Sequence, residues 1–194
     1  GAGSYTAVVT PRAPGYRMIG AELQVGIIDR EFHGIPAHTR IVMYGKSFTH
    51  VPGSEKGLDN TLGFDLELVP AGDPGSLQPG DVIAVEVLLR GKPIGGREVV
   101  VSLGTTGPEN LPQHPGVSSR QWSIEANAER PAGQVSFPLI AAGQHLFSIR
   151  YFDETPGTYR GDLDEASEFS HLRKGDTFER TMYVSTFAFE VNGQ

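Results

Sequence analysis

Asp81-Val82-Ile83-Ala84-Val85-Glu86-Val87-Leu88-Leu89 is the clearest strand in the chain. Ile83, Val85, Val87 and Leu89 fall on one face and Val82, Ala84, Glu86 and Leu88 on the other, the two-residue period of an extended segment. Gln78-Pro79-Gly80 leads into it. Pro pre-sets the first turn angle and Gly supplies the positive φ of a type II turn. Arg90-Gly91-Lys92-Pro93-Ile94-Gly95-Gly96 follows, a connection too rich in Gly for regular structure, and then a second strand over Arg97–Ser102. The two strands make a hairpin or a sheet-crossing unit.

Moving outward, further strands are expected at Phe64–Val69, Gln121–Ala126, Gln134–Leu139, Gln144–Phe152 and Phe178–Val191. The last is apolar on both faces (Tyr183, Phe187, Phe189 and Val191 against Met182, Val184 and Ala188), which places it inside a sheet. Weaker strand patterns cover Tyr5–Thr10, Tyr16–Ile28 and Thr39–Tyr44, while Gly45–Leu62 reads as a linker or surface loop. Short strands divided by Gly/Pro turns are the pattern of a sandwich or barrel.

Two long insertions interrupt it. Leu103–Ser119, with Pro108, Pro112 and Pro115, is expected to be irregular. Asp153–Thr177 carries helix punctuation: Asp162 as a cap with Glu165 three residues on, Leu163, Ala166, Phe169 and Leu172 at intervals of three, and Gly175 to close. The spacing predicts one short helix of about three turns before the last strand.

Composition excludes several functions. With 16 basic against 23 acidic residues the net charge is −7, so a phosphate backbone would be repelled and nucleic acid is not expected as a partner. The absence of Cys removes disulfides, thiolate metal sites and Cys nucleophiles. No apolar run reaches the roughly 18 residues of a membrane span. The opening Gly1-Ala2-Gly3-Ser4 has the form of a tag scar or trimmed start. There is no Gly-x-Ser-x-Gly elbow and no phosphate-cradle spacing, and no motif supports a paired-carboxylate hydrolase. An enzyme is not expected.

The residues left with chemistry are mostly imidazoles. In Asp29-Arg30-Glu31-Phe32-His33-Gly34-Ile35-Pro36-Ala37-His38, Glu31 and His33 would share a face if extended, a start for a metal site. His38 could join them only through the turn that Gly34 and Pro36 permit. Glu168 and His171 form a Glu-x-x-His pair, which would share a helix face. Glu31, His33 and His38, then His114 and His171, are the candidate metal ligands. The competing reading makes them exposed loop histidines. Asp153, Glu154, Asp162, Asp164, Glu165 and Glu168 lack the spacing of a calcium loop and read as a solvated face. Trp122 beside Arg120 could stack a sugar, but better fits a sandwich core.

Several motifs occur in a recognisable order: Phe64-Asp65-Leu66-Glu67-Leu68-Val69-Pro70-Ala71-Gly72-Asp73-Pro74, then Leu77 to Asp81, then Gly91-Lys92-Pro93-Ile94-Gly95-Gly96 within Val85–Val101, then Gly133–Tyr151, and last Phe187-Ala188-Phe189-Glu190-Val191. With Val42-Met43-Tyr44-Gly45-Lys46-Ser47 upstream, this order resembles a large family of exported bacterial proteins associated with nickel or cobalt uptake (NikM-like). The likeness runs over roughly residues 39–194. It implies an Ig-like or transthyretin-like β-sandwich, a periplasmic or secreted location, and a non-catalytic role near metal uptake, with a membrane transporter component as partner. Family members typically open with a His-containing strand and a fuller N-terminal sandwich, whereas the N-terminal third here is short and opens Gly1-Ala2-Gly3-Ser4, as expected of a trimmed or diverged start.

The expectation is therefore an all-β protein. Residues 63–194 form an antiparallel Ig-like or transthyretin-like β-sandwich with one short helix, and residues 1–62 a further β-rich portion. Its function would be a periplasmic accessory or binding protein for nickel or cobalt ions. The alternative is a structural or interaction module that meets a protein or glycan.

Overall fold

The computed structural model describes residues 13–54, 56–94, 100–106, 133–139 and 142–192. In chain order the strands are β1 (Gly15–Ile28), β2 (Thr39–Val51), β3 (Leu66–Pro70), β4 (Val82–Leu89), β5 (Lys92–Pro93), β6 (Val100–Thr106), β7 (Gln134–Pro138), β8 (Gly143–Asp153), β9 (Gly157–Thr158), β10 (Glu165–Ala166), β11 (Ser170–Leu172), β12 (Thr177–Phe178) and β13 (Arg180–Val191). The described residues are all-β.

β4 forms as its alternation requires, with Ile83, Val85 and Val87 buried. The turn before it has Gly80 at φ +99 and a hydrogen bond from the Asp81 amide to the Gln78 carbonyl at 3.1 Å. β4 pairs with β3, β5 and β7 in one sheet. A seven-stranded sheet runs in the order β10-β11-β1-β2-β13-β8-β6, and β12 pairs with β9 apart from both. β4 and β6 lie in different sheets, so the chain crosses between sheets from one to the other. β13 sits between β2 and β8, in keeping with its two apolar faces.

The core lies between the two larger sheets. Val42, Tyr44, Phe147, Ile149, Tyr183 and Phe187 of one meet Leu66, Leu68, Ile83, Val85, Val87 and Val135 of the other. At about 25 cal/mol per Å2 of apolar surface removed from water, this layer is the main source of stability.

Several expectations need correction. β6 runs on to Thr106, so Leu103 to Thr106 is strand and not irregular. β2 runs on to Val51, so Gly45 to Val51 is strand and not linker; Lys46 and Phe48 continue the inward face begun by Val42 and Tyr44. Pairing is not wholly antiparallel, since β13 runs parallel to β2 from Arg180↔Thr39 to Phe187↔Lys46. And the expected helix is absent. Residues 162–175 instead carry β10 and β11, paired antiparallel.

The spacing of three misled because only Leu172 of its four apolar residues is buried, while Leu163 and Phe169 are exposed. Ser167 takes over the local hydrogen bonding. Its Oγ accepts the amides of Phe169 (3.3 Å) and Ser170 (3.1 Å), and its amide bonds to the Ser170 carbonyl at 2.8 Å. Short polar side chains compete with the helix ladder in this way. Asp162 meets Lys174 at 3.5 Å and caps nothing. Of the remaining expectations, Tyr5–Thr10, Gln121–Ala126, Trp122, Arg120 and His114 lie outside the described residues.

Candidate functional site

The loop between β1 and β2 carries Glu31, His33 and His38, all exposed. Phe32 and Ile35 exchange backbone hydrogen bonds (3.0 and 2.9 Å) around His33 at φ +49 and Gly34 at φ +77. Two central residues of positive φ make this a primed hairpin turn. His33 thus has a conformational reason to be there, as His is among the residues that tolerate the left-handed region. His38, at φ +56, accepts the Glu179 amide at 3.0 Å and donates its own to the Ile28 carbonyl at 2.8 Å, tying the loop to the start of β13.

His171 reaches this end through strand pairing. A register shift in β1 between Gln24 and Gly26 bends the strand, and beyond it Ile27 pairs with His171 and Ile28 with Ser170. Gly26 permits the approach: its φ is +121, and a Cβ there would stand 3.0 Å from the His171 carbonyl. Beneath lie Ile27, Tyr159 and Leu172, with Phe178 against them. Arg40 stacks over the Tyr159 and Phe178 rings at 5.7 and 5.6 Å.

The half-buried His171 ring meets two carboxylates. Nδ1 is 2.7 Å from Asp29 Oδ1, and Nε2 is 3.5 Å from Asp176 Oδ2. Asp176 is held in a tight turn: its Oδ2 accepts the Arg173 amide at 2.7 Å, its amide bonds to the Arg173 carbonyl at 2.9 Å, and Gly175 between them has φ +100. His171 therefore stands against the first residue of the loop that bears Glu31, His33 and His38. Among the described residues, no group of three or more His, Asp or Glu side chains gathers so as to hold an ion. The spacing of three that nominated Glu168 with His171 gives no shared helix face here, because both lie in extended or turn backbone. Asp29 and Asp176 were not among the candidates. Asp29 was visible in the same run as Glu31, but nothing in sequence ties Asp176 to it, since the link passes through the β1–β11 pairing.

Exposed aromatics adjoin this site. Phe32 and Phe169 lie 5.8 Å apart, centroid to centroid, and the Arg30 guanidinium covers the Phe169 ring at 5.1 Å. Both rings are more than two-fifths exposed.

A second polar cluster centres on Arg90. Arg90, at φ +50, donates to Asp153 (3.0 Å) and to the Tyr183 hydroxyl (3.1 Å), which donates to Asp65 (3.3 Å). The hydrogen bond to Tyr183 raises the Arg90 pKa. Burial works to raise the Asp153 pKa, but hydrogen bonds from Thr155 and the Arg90 charge outweigh it, and the net shift is down. Burial raises both Tyr183 and Tyr44. At the opposite end of β1, Tyr16 donates to Asp73, and its ring stacks flat on His50 at 4.1 Å. Tyr16 is wholly buried, which suits a packing role.

Two sheets facing across one core, with an imidazole between carboxylates at one end, define an all-β module. The chain belongs to the family described as a domain of unknown function (DUF4198), whose model matches residues 1–153. Neither curated proteins nor solved structures show a significant match to it. No helix among the described residues is long and apolar enough to cross a membrane.

Proposed function

We propose that this chain is a non-catalytic binding module of an exported bacterial protein, one that takes up a divalent transition metal ion, nickel or cobalt, and passes it to a membrane uptake component. One observation carries the reading. Pairing of β11 with β1 sets His171 against Asp29, at the foot of the loop bearing Glu31, His33 and His38. Nitrogen and oxygen donors are what such ions favour. The choice of nickel and cobalt comes from the resemblance to the exported family over residues 39–194. Titration of the purified protein with nickel, cobalt and zinc salts by calorimetry tests it: saturable micromolar binding is expected, and no binding of any of the three would end the metal reading.

A second reading, an interaction module for a protein or glycan, draws on the exposed Phe32 and Phe169 beneath Arg30, since clustered exposed aromatics commonly mark contact surfaces. It predicts that Phe32→Ser weakens partner capture and leaves metal titration unchanged.

A further inference from the structure

The geometry points to His171 Nε2 and Asp176 Oδ2 as the two protein ligands of one divalent metal ion, with Asp29 as the residue that orients the imidazole. The inference rests on the metal reading above and names its site.

The 3.5 Å between Nε2 and Oδ2 is long for a hydrogen bond, which for nitrogen and oxygen runs to about 3.2 Å. It is close to another distance. Two donor atoms each about 2.1 Å from one ion, at a tetrahedral or octahedral angle, stand about 3.0–3.4 Å apart. The pair needs to close by about a tenth of an ångström to share an ion in tetrahedral geometry and by about half an ångström in octahedral geometry.

The remaining contacts suit that use. Asp29 against Nδ1 favours the tautomer with its proton on Nδ1, leaving the lone pair on Nε2 toward Asp176. A carboxylate behind a ligating imidazole is the recurrent outer-shell partner of metal-bound His. Asp176 Oδ2 is likewise fixed, by the Arg173 amide at 2.7 Å, and can still accept along its other lone pair. The alternative, an imidazolium held between two carboxylates with no ion, uses the same contacts and gives no metal dependence.

Among the described residues two protein donors face the ion, because Asp29 lies on the far side of the ring. The other coordination positions fall to water, which suits an ion that must be released to a partner. Both ligands are partly exposed, with side-chain exposures of 33% for His171 and 24% for Asp176, so an ion can enter and leave without opening the core.

Equilibrium dialysis against nickel and cobalt chloride, on the full chain, tests the assignment with His171→Ala, Asp176→Asn and Asp29→Asn. His171→Ala and Asp176→Asn should each weaken binding tenfold or more, and Asp29→Asn about tenfold through the orientation of the ring. The isosteric Asp176→Asn decides the matter if His171→Ala fails to fold. Wild-type protein that binds no metal would overturn the metal reading and this site together. Wild-type protein that binds, with Asp176→Asn binding equally well, would overturn the site alone.

Discussion

Lys46 and Glu67 form an ion pair 2.7 Å long that is almost completely shielded from water. It joins β2 of the large sheet to β3 of the smaller. All three Lys46 Nζ protons are used, the other two going to the Asn60 and Leu68 carbonyls (both 3.1 Å), and the carboxylate also accepts the amides of Leu62 (2.7 Å) and Gly63 (3.0 Å). Losing either partner strands a charge in the core.

Lys46→Met alone is accordingly expected to destabilise by about 3–5 kcal/mol, and Glu67→Leu alone by a similar amount. Replacing both at once, Lys46→Met with Glu67→Leu, should cost distinctly less than the sum, since no lone charge remains. Urea unfolding of the two singles and the double checks this. Additive losses would mean the two side chains act independently.

Asp153 sets an acid-side prediction. Its folded pKa is lowered, so the stability it contributes is present above the ordinary carboxylate value, about 3.9, and is lost as pH falls through the folded value. Asp153→Asn should flatten the fall in the urea midpoint between about pH 4 and pH 2. An unchanged slope would remove the Arg90 and Thr155 contacts from the account.

Tyr44 and Tyr183 give the opposite sign. Their folded pKa values are raised, so their contribution is intact below about 10, the ordinary phenol value, and is lost as pH climbs from there through the raised folded values. Thermal unfolding between about pH 9 and pH 11.5 should decline less steeply in Tyr44→Phe than in wild type. A steeper decline would contradict the assignment.

Gly57 combines φ +90 with a Cβ position only 2.6 Å from the Tyr16 carbonyl oxygen. Gly57→Ala should therefore destabilise by about 1–3 kcal/mol from backbone strain, seen as a lowered melting temperature. Gly34→Ala meets nothing within 4 Å and carries only the penalty of its positive φ, so its loss should be smaller.

Strands were legible where burial enforced alternation. The expected Asp81–Leu89 and Gln144–Phe152 differ from β4 and β8 by single residues at their ends, because each alternating side chain meets the same core. Legibility failed where the buried residue is a charge or where no core receives the apolar ones. Gly45 to Val51 looked polar because Lys46 is a charge buried with a partner and Ser47 turns outward, so the strand hid its own period. The helix failed because apolar spacing carries structure only if a core receives it, and Leu163 and Phe169 face solvent. At the site, Glu31, His33 and His38 could be named because they lie within one run. His171 was named for a helix face that does not exist, yet β1–β11 pairing brings it to that run. Asp176 could not be connected, since a contact between residues 29, 171 and 176 is a property of the sheet and not of sequence spacing.

A divalent metal ion held by His171 and Asp176 lies within reach of the β1–β2 loop, since Asp29 at the start of that loop touches the same imidazole. Paramagnetic line broadening in the amide spectrum of the nitrogen-15-labelled protein, recorded as nickel or cobalt is added, tests it most directly. Broadening should be strongest at residues 170–176 and extend to residues 29–38, with the core strands β4 and β8 sharp at stoichiometric metal. Broadening centred elsewhere, or a spectrum that metal leaves unchanged, would contradict it.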